Sequence, residues 1–448
     1  MSAGERICRL SNSSNCVTMI GPLTIAASIV DASLKGCFMI KVLRNELATE
    51  LNFILQIWFP RTIDLEFGGF LSDFDYRWRP RGPQHKMLEY QARQTIAAAK
   101  GASRCNDLCN SALHGFRYLK EKLWDADSGG WFRLLDRSGK PLEGSTKHGH
   151  GSSYAISACV CCYELTAEPA CLELAKAAFA WLDKHAHDSR HGGYFVFYQH
   201  DGCPILADNK TGIDVKLRDA IGTPIGCKDS NTMSDLLKAF SDLYRVWPDA
   251  LLKERLQELL HIVRDRLVVA PGLMHMYTHP DWTPMPDFVR YGQVVRSANH
   301  LLAAARALDG AVDPLTSSVA KSMVDMMVRA AWDQQKGGFA LAGSGFGPIN
   351  LENTTVFVRT KAWWPQADGI RALLEMAHLH PAEATNYVGL AEQLWQYIKD
   401  YMRDREYGGW FAAGLDTNPE ARKQPKATIW KDCSHEVEAL HDCLSLLA

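Results

Sequence analysis

The sequence has no excess of either charge. Its 448 residues carry 49 Lys and Arg against 51 Asp and Glu, a formal net charge of −2. The field that would draw in a nucleic acid or an anionic membrane surface is therefore missing. No apolar run reaches the roughly 18 residues needed to span a bilayer, and no Pro- or Ser-rich linker divides residues 40–448. Neither a Walker-type nor a Gly-x-Gly-x-x-Gly phosphate loop occurs. What is present excludes global disorder, because 47% of the residues are hydrophobic and only 22% charged. The thirteen cysteines are odd in number, and Cys159-Val160-Cys161-Cys162 lies in an apolar stretch. They read as core thiols of a reducing, cytoplasmic compartment rather than as disulfides. Cys105 and Cys109 have no matching Cys or His pair, so no metal site is expected there.

The first residues stand apart. Residues 17–30 are modestly apolar behind Arg6 and Arg9, but Pro22 and the polar lead-in speak against a leader peptide. Residues 1–38 are read as an extension, dispensable or poorly ordered, and residues 39–448 as one catalytic domain.

A repeat organises that domain. Gly-Gly-aromatic recurs at Gly68-Gly69-Phe70, Gly129-Gly130-Trp131, Gly192-Gly193-Tyr194, Gly337-Gly338-Phe339 and Gly408-Gly409-Trp410. Pro271-Gly272-Leu273 fills the double gap as a degraded copy. Each copy is followed by a short β-prone piece, a polar loop and two helical stretches. In the second stretch of one unit Leu172, Ala175, Ala178, Phe179 and Leu182 recur at helical spacing behind Pro169. Six helical hairpins must bury their apolar faces on their neighbours. Closed into a ring they form an all-α (α/α)6 barrel, with short β-ribbons at one mouth.

The first turns of six alternate helices hold the polar chemistry. They contain Lys86, Tyr90, Gln91 and Arg93; Lys147 to His150; Lys228 to Thr232; Arg290 to Gln293; Lys361 to Asp368; and Trp430 to Glu436. A ring brings such helix starts to one mouth, where they would line a single concave site. Indoles, guanidinium groups, amides and carboxylates around one pocket suit a sugar, whose C–H faces stack on aromatics and whose hydroxyls need fixed donors and acceptors.

At these residues the sequence resembles the N-acylglucosamine 2-epimerase superfamily, which includes cellobiose 2-epimerases, mannose isomerases and sulfoquinovose isomerases. The resemblance rests on Gln91-Ala92-Arg93, Lys228 to Thr232, Asp281-Trp282-Thr283-Pro284, Tyr291-Gly292, Trp363-Trp364-Pro365-Gln366-Ala367-Asp368, and Trp430-Lys431 followed by His435, in family order over residues 45–445. It implies the same barrel, no cofactor, and a monomer or homodimer acting on a small sugar, without nucleic acid or membrane partners. It also implies sugar contacts from Arg93 and Trp364, a carboxylate at Asp368 and a catalytic histidine at His435. Tyr90, Asn231, Gln366 and Arg296 complete the expected substrate contacts.

Two motifs depart from the family pattern. Gly-His-x-x-Glu reads Gly292-Gln293-Val294-Val295-Arg296, and Asn-Thr-His-x-His-x-x-Glu reads Asn231-Thr232-Met233-Ser234-Asp235-Leu236-Leu237-Lys238. Gln293 thus stands where the second catalytic histidine is usual, and an amide cannot exchange protons near neutral pH. The expected catalytic set is His435 and Asp368, with Gln293 in the partner's place. His150, in a glycine-flanked loop, is the first candidate for the missing group, ahead of His148 and His300. The expected reaction is isomerisation or epimerisation at C1/C2 of an aldose or N-acylhexosamine through an enediolate. Two alternatives accompany it: a non-catalytic sugar binder, and a glycoside or unsaturated-uronide hydrolase pairing Asp368 with Asp73, Asp75 or Asp235.

Overall fold

The glycine pairs explain the architecture because each is one corner of the same clamp. In the computed structural model Asp64 N–H donates to Gly69 O at 2.9 Å, and Asp64 O accepts from Gly68 N–H at 3.0 Å. Asp125, Asp188, Asp333 and Asp404 repeat the pattern. Gly68 and Gly69 have φ of +83° and +64°. Two consecutive left-handed residues are a conformation that only glycine takes without steric cost. The aspartate's other oxygen then holds a buried lysine: Lys86 Nζ lies 2.8 Å from Asp64, Lys147 2.8 Å from Asp125, Lys228 2.8 Å from Asp188 and Lys361 2.7 Å from Asp333. Lys426 and Asp404 form a fifth pair. The first four of these lysines were expected to line the mouth. Instead each turns back to the loop that precedes its helix and also ties, in the first four cases, to the carbonyl of the first glycine.

Burial nonetheless works against the lysine charge, and Lys86 is pushed down to about 8 despite Asp64. Breaking such a pair leaves one buried charge uncompensated. Asp188→Ala, which abandons Lys228, is therefore expected to cost about 3–5 kcal/mol in urea melts at neutral pH.

The structure describes the backbone of residues 22–142, 144, 146–206, 218–285, 288–343 and 356–448, and side chains there from residue 40 onward except Phe357. Among these residues twelve α-helices alternate between an outer and an inner position. The outer set is α1 (Pro22–Thr62), α3 (Asp107–Tyr118), α5 (Pro169–His185), α7 (Ala250–His261), α9 (Pro314–Ala330) and α11 (Tyr387–Tyr397). The inner set is α2 (Leu88–Gly101), α4 (Gly149–Thr166), α6 (Ser230–Val246), α8 (Tyr291–Asp309), α10 (Trp363–Leu379) and α12 (Ser434–Leu446). Each inner helix packs on the next, and α12 packs on α2, which closes the ring.

The two sets differ as their places require. Outer helices bury one stripe; in α5 it is Cys171, Leu174, Ala175, Ala178, Phe179, Trp181 and Leu182, with Leu172 at its flank. Pro169 opens that helix and Glu168 caps it by accepting from Ala170 N–H. Inner helices are buried over most of their length, and α4 is rich in Gly, Ser, Ala and Cys, small enough for close approach.

Antiparallel ribbons of two or three strands start the inner helices. Lys86–Met87 pairs with Leu134–Leu135, Lys147–His148 with Phe197–Tyr198, and Lys228–Asp229 with Tyr277–Thr278. Val289–Arg290 pairs with Ala342–Gly343, which also holds Val356–Val358. The degraded copy survives as a hairpin, Val268–Val269 with Leu273–Met274, without the lysine clamp, since Val289 stands at the lysine's position. All the ribbons sit at the N-terminal ends of the inner helices, and there they rim one mouth. The boundary expected at residue 39 falls inside α1, whose first buried described side chain is Leu43; residues 1–21 lie outside the described residues. No helix among the described residues is long and apolar enough to cross a membrane.

Candidate active site

The mouth opens into a cavity of about 350 Å³ walled by the first two turns of the inner helices. Helix α2 contributes Arg93; α4 contributes His150 and Tyr154, one turn apart; α6 contributes Asn231 and Asp235, again one turn apart. From α8 come Gln293 and Arg296, from α10 Trp363 and Trp364, and from α12 His435, while Trp430 and Arg290 stand just ahead of their helices. A residue and its i+3 or i+4 neighbour share a helix face, so six parallel starts give a wall two residues deep.

His435 stands against Trp364, ring centroids 5.9 Å apart. Its Nδ1 is 3.0 Å from Asp368 Oδ2 and 3.5 Å from Arg296 Nη1. With Nδ1–H directed to Asp368, Nε2 carries the lone pair, and it is the nitrogen able to take a proton from a ligand. Asp368 lies behind His435 rather than on the cavity wall. Burial acts to raise its pKa, but His435 and Arg296 prevail and hold it below the usual carboxylate range.

Arg296 is the centre of the floor. Its Nε donates to Asp235 Oδ1 at 3.0 Å, its Nη2 to Tyr154 Oη at 2.9 Å, and its Nη1 is 3.7 Å from Asp368. The two departures from the family pattern thus meet: where a histidine and a glutamate are usual, Asp235 faces Arg296 with the charges exchanged. Asp235 is fully enclosed, which favours its neutral form, yet Arg296 and His150 hold it well below the ordinary range.

His150 is not a mobile loop residue. It lies in the first turn of α4, buried, with Nδ1 3.3 Å from Glu89 Oε1 and Nε2 3.2 Å from Asp235 Oδ2. Burial disfavours the imidazolium, but the hydrogen bonds to Asp235 and Glu89 outweigh it and lift the pKa to about 9. At neutral pH it is therefore an acid, not the free base expected from sequence. His148 is held by Asp219 at 2.8 Å and does not reach the cavity wall. His300 sits deeper, with Nδ1 2.9 Å from both the hydroxyl and the carbonyl oxygen of Ser234, and burial next to Arg296 pushes it down to about 3.

Two expected contacts are engaged elsewhere. Tyr90 Oη donates to Leu71 O at 2.9 Å and the ring is fully buried away from the cavity. Gln366 accepts from Phe339 N–H at 2.8 Å and donates to Phe339 O at 2.9 Å, a brace that Gln91 repeats on Phe70. Arg93 lines the cavity with its guanidinium 4.1 Å from the Tyr154 ring, and Asn231 lines it too. Gln293 donates to Ser297 Oγ at 3.3 Å and to Ser230 O at 3.5 Å, which leaves its carbonyl to face the cavity as an acceptor. Gly292 has a plain role: a Cβ there would lie 2.4 Å from the Trp364 indole, so the glycine seats that tryptophan. Tyr154 and Glu89 were missed by the sequence reading. Their signal was a one-turn offset from His150 and an acidic residue in the first turn of α2.

A hydrolytic pair is absent from this arrangement. Asp73 and Asp75 pair with Arg81 and Arg79 on the loop before α2, outside the cavity wall, and Asp235 and Asp368 are joined through Arg296.

A closed ring of six helical hairpins around a polar, indole-walled cavity, with one histidine seated on a carboxylate and another between two, defines an (α/α)6-barrel protein with a small-molecule site. The chain belongs to the N-acylglucosamine 2-epimerase family, whose sequence profile matches residues 69–195 and 227–435. It is 24% identical over 424 residues to a cellobiose 2-epimerase of Bacteroides fragilis, covering 91% of this chain and 100% of that one. A D-mannose isomerase of Marinomonas mediterranea is 22% identical, covering 90% and 97%. The solved structure of the cellobiose 2-epimerase from Spirochaeta thermophila superposes with a TM-score of 0.79 at 24% identity, covering 91% and 97%.

Proposed function

We propose that this protein interconverts sugars at C1 and C2, as an aldose–ketose isomerase or 2-epimerase, with His435 as the base. The observation that carries the reading is the seating of His435 on Asp368 with Arg296 at 3.5 Å. An open-chain aldose placed against the Trp364 wall would give its C2 proton to His435 Nε2. As the C1–C2 double bond forms, negative charge grows on O1, where Arg93 and Arg296 supply cationic donors. Return of the proton from His435 to C1, as the O2 proton passes to O1, yields the ketose. Return to the other face of C2 yields the epimer, and His150, an acid at neutral pH, is the group available for it. Relatives of both kinds support either outcome. Product analysis of an aldose panel by chromatography is the test: a ketose or a C2 epimer is expected, and binding without product would return the non-catalytic reading.

The charge of His150 has a pH signature. Its folded pKa of about 9 lies above the ordinary value of 6.5. Its contribution to stability is fully present below pH 6.5 and is lost as pH rises through 9. Activity that needs the imidazolium should fall in the same upper range. The alkaline limb of kcat/KM is expected near pH 9 and should disappear in His150→Gln.

Residues 39–448 are proposed to be the whole catalytic unit, because every wall residue and buried α1 side chain described here lies within them. A chain beginning at Met39 is expected to fold and turn over like the full chain. The ten described cysteines are free thiols, which supports a reducing, cytoplasmic setting.

A further inference from the structure

Three cavity residues at the start of α8 form a ladder from mouth to floor, with Arg290 in the strand just ahead of the helix and Gln293 and Arg296 in its first two turns. Arg290, Gln293 and Arg296 are spaced three apart, and all three line the cavity. At 1.5 Å per residue Arg296 lies about 7.5 Å along α8 from Tyr291, and Arg290 stands one residue beyond that start. The lowest rung, Arg296, touches His435 and is engaged by Asp235, Asp368 and Tyr154. The top rung has no such partner among the described residues. Among the described residues the Arg290 guanidinium meets only the Phe288 ring, at 5.7 Å, and no carboxylate pairs with it.

The rest of the wall has the same bias. Arg93, His150, Arg290 and Arg296 face the cavity against a single carboxylate, Asp235, which Arg296 and His150 already hold. Arg93 is buried, its Nε has no hydrogen-bond partner among the described residues, and Asp432 lies 3.8 Å from its Nη1. Neutral sugar hydroxyls need acceptors as well as donors, whereas a wall of donors suits a group that only accepts.

We propose that the substrate is an aldose with a carboxylate at the end remote from the carbonyl, a hexuronate, bound with C1 and C2 at His435 and Arg296 and its C6 carboxylate on Arg290. The proposal rests on the isomerase reading above and adds the substrate class to it. The span fits. Five carbon–carbon bonds of about 1.5 Å each place C1 and C6 roughly 6 Å apart in an extended chain. A hydrogen bond at either end then reaches from one rung to the other, with Gln293 accepting from a hydroxyl between them. A planar carboxylate also matches the two-pronged guanidinium donor, and the sequence holds no loop of the phosphate-cradling kind.

The test measures binding by the fluorescence of the cavity tryptophans, with glucuronate and galacturonate, the matching neutral aldoses, and 6-phosphate and 6-sulfonate analogues. Uronates are expected to bind at least tenfold tighter than the neutral sugars. Arg290→Gln should remove most of that ratio and Arg290→Lys should keep part of it. Tighter binding of the 6-phosphate or 6-sulfonate, with the same dependence on Arg290, would keep the remote anion and overturn the carboxylate. Equal affinity for charged and neutral sugars, or a ratio untouched in Arg290→Gln, would overturn the proposal. Exchange at C2 in heavy water is read on the same samples. Uronate preference without exchange of any sugar contradicts the isomerase reading alone, and exchange without anion preference contradicts this inference alone.

Discussion

His435→Ala is expected to lower kcat by about 100- to 10,000-fold, the range that a positioned general base supplies. The reasoning is geometric. Within the described cavity wall His435 and His150 are the two imidazoles, and His150 is held as an imidazolium by Glu89 and Asp235. On the proposed mechanism that leaves His435 Nε2 to accept the proton. Removing the ring leaves Asp368 next to Arg296, so the fold should survive and KM should move far less than kcat. Steady-state kinetics with a parallel thermal melt separate the two effects. A fall of less than tenfold in kcat would place the base elsewhere.

Arg296→Met is expected to be among the most destabilising single changes in the chain, by about 3–5 kcal/mol at neutral pH, because it leaves two buried carboxylates without their shared cation. Asp235 and Asp368 are 4% and 7% exposed. In the native protein Arg296 helps hold both pKa values low, so each contributes stability above its unfolded pKa and loses it as pH falls through the folded one. In the variant burial acts with less opposition and pushes them up. The loss should therefore be larger at pH 7 than near pH 4, where the carboxyl groups can take protons. Urea melts at the two pH values measure this, and adding Asp235→Asn should recover part of the neutral-pH loss. A change below about 1 kcal/mol would show that the floor is hydrated rather than closed.

Much of this architecture is legible in the chain. The Gly-Gly-aromatic recurrence and its leading aspartate identify the repeats, and a ring of hairpins follows from their number and length. The lysine clamps were legible too, yet Lys86 and Lys147 were misread as pocket residues and Lys426 was passed over. Lys86, Lys147 and Lys426 each follow their aspartate, at 64, 125 and 404, by the same interval. A fixed interval between opposite charges marks a pair, whereas adjacency to a helix start suggested a pocket. Gln91 and Gln366 were ambiguous for the same reason: an amide at a helix start serves a ligand or a loop equally well. The Asp235–Arg296 exchange could not be read as compensation before the ring was closed, since the two residues are 61 positions apart and adjacent only through α6 and α8. The state of His150 depends on Glu89 from a third helix, and no local pattern announces a histidine enclosed by two carboxylates.

The most direct test of the proton transfer at His435 is the fate of the sugar's C1 and C2 hydrogens in heavy water, followed by NMR for the native protein and His435→Ala. The native protein is expected to place deuterium from solvent at C1 of a ketose or at C2 of an epimer, and His435→Ala is expected to place it at neither. Undiminished deuterium incorporation in His435→Ala, or none with the native protein on any aldose or ketose it binds, would contradict the account.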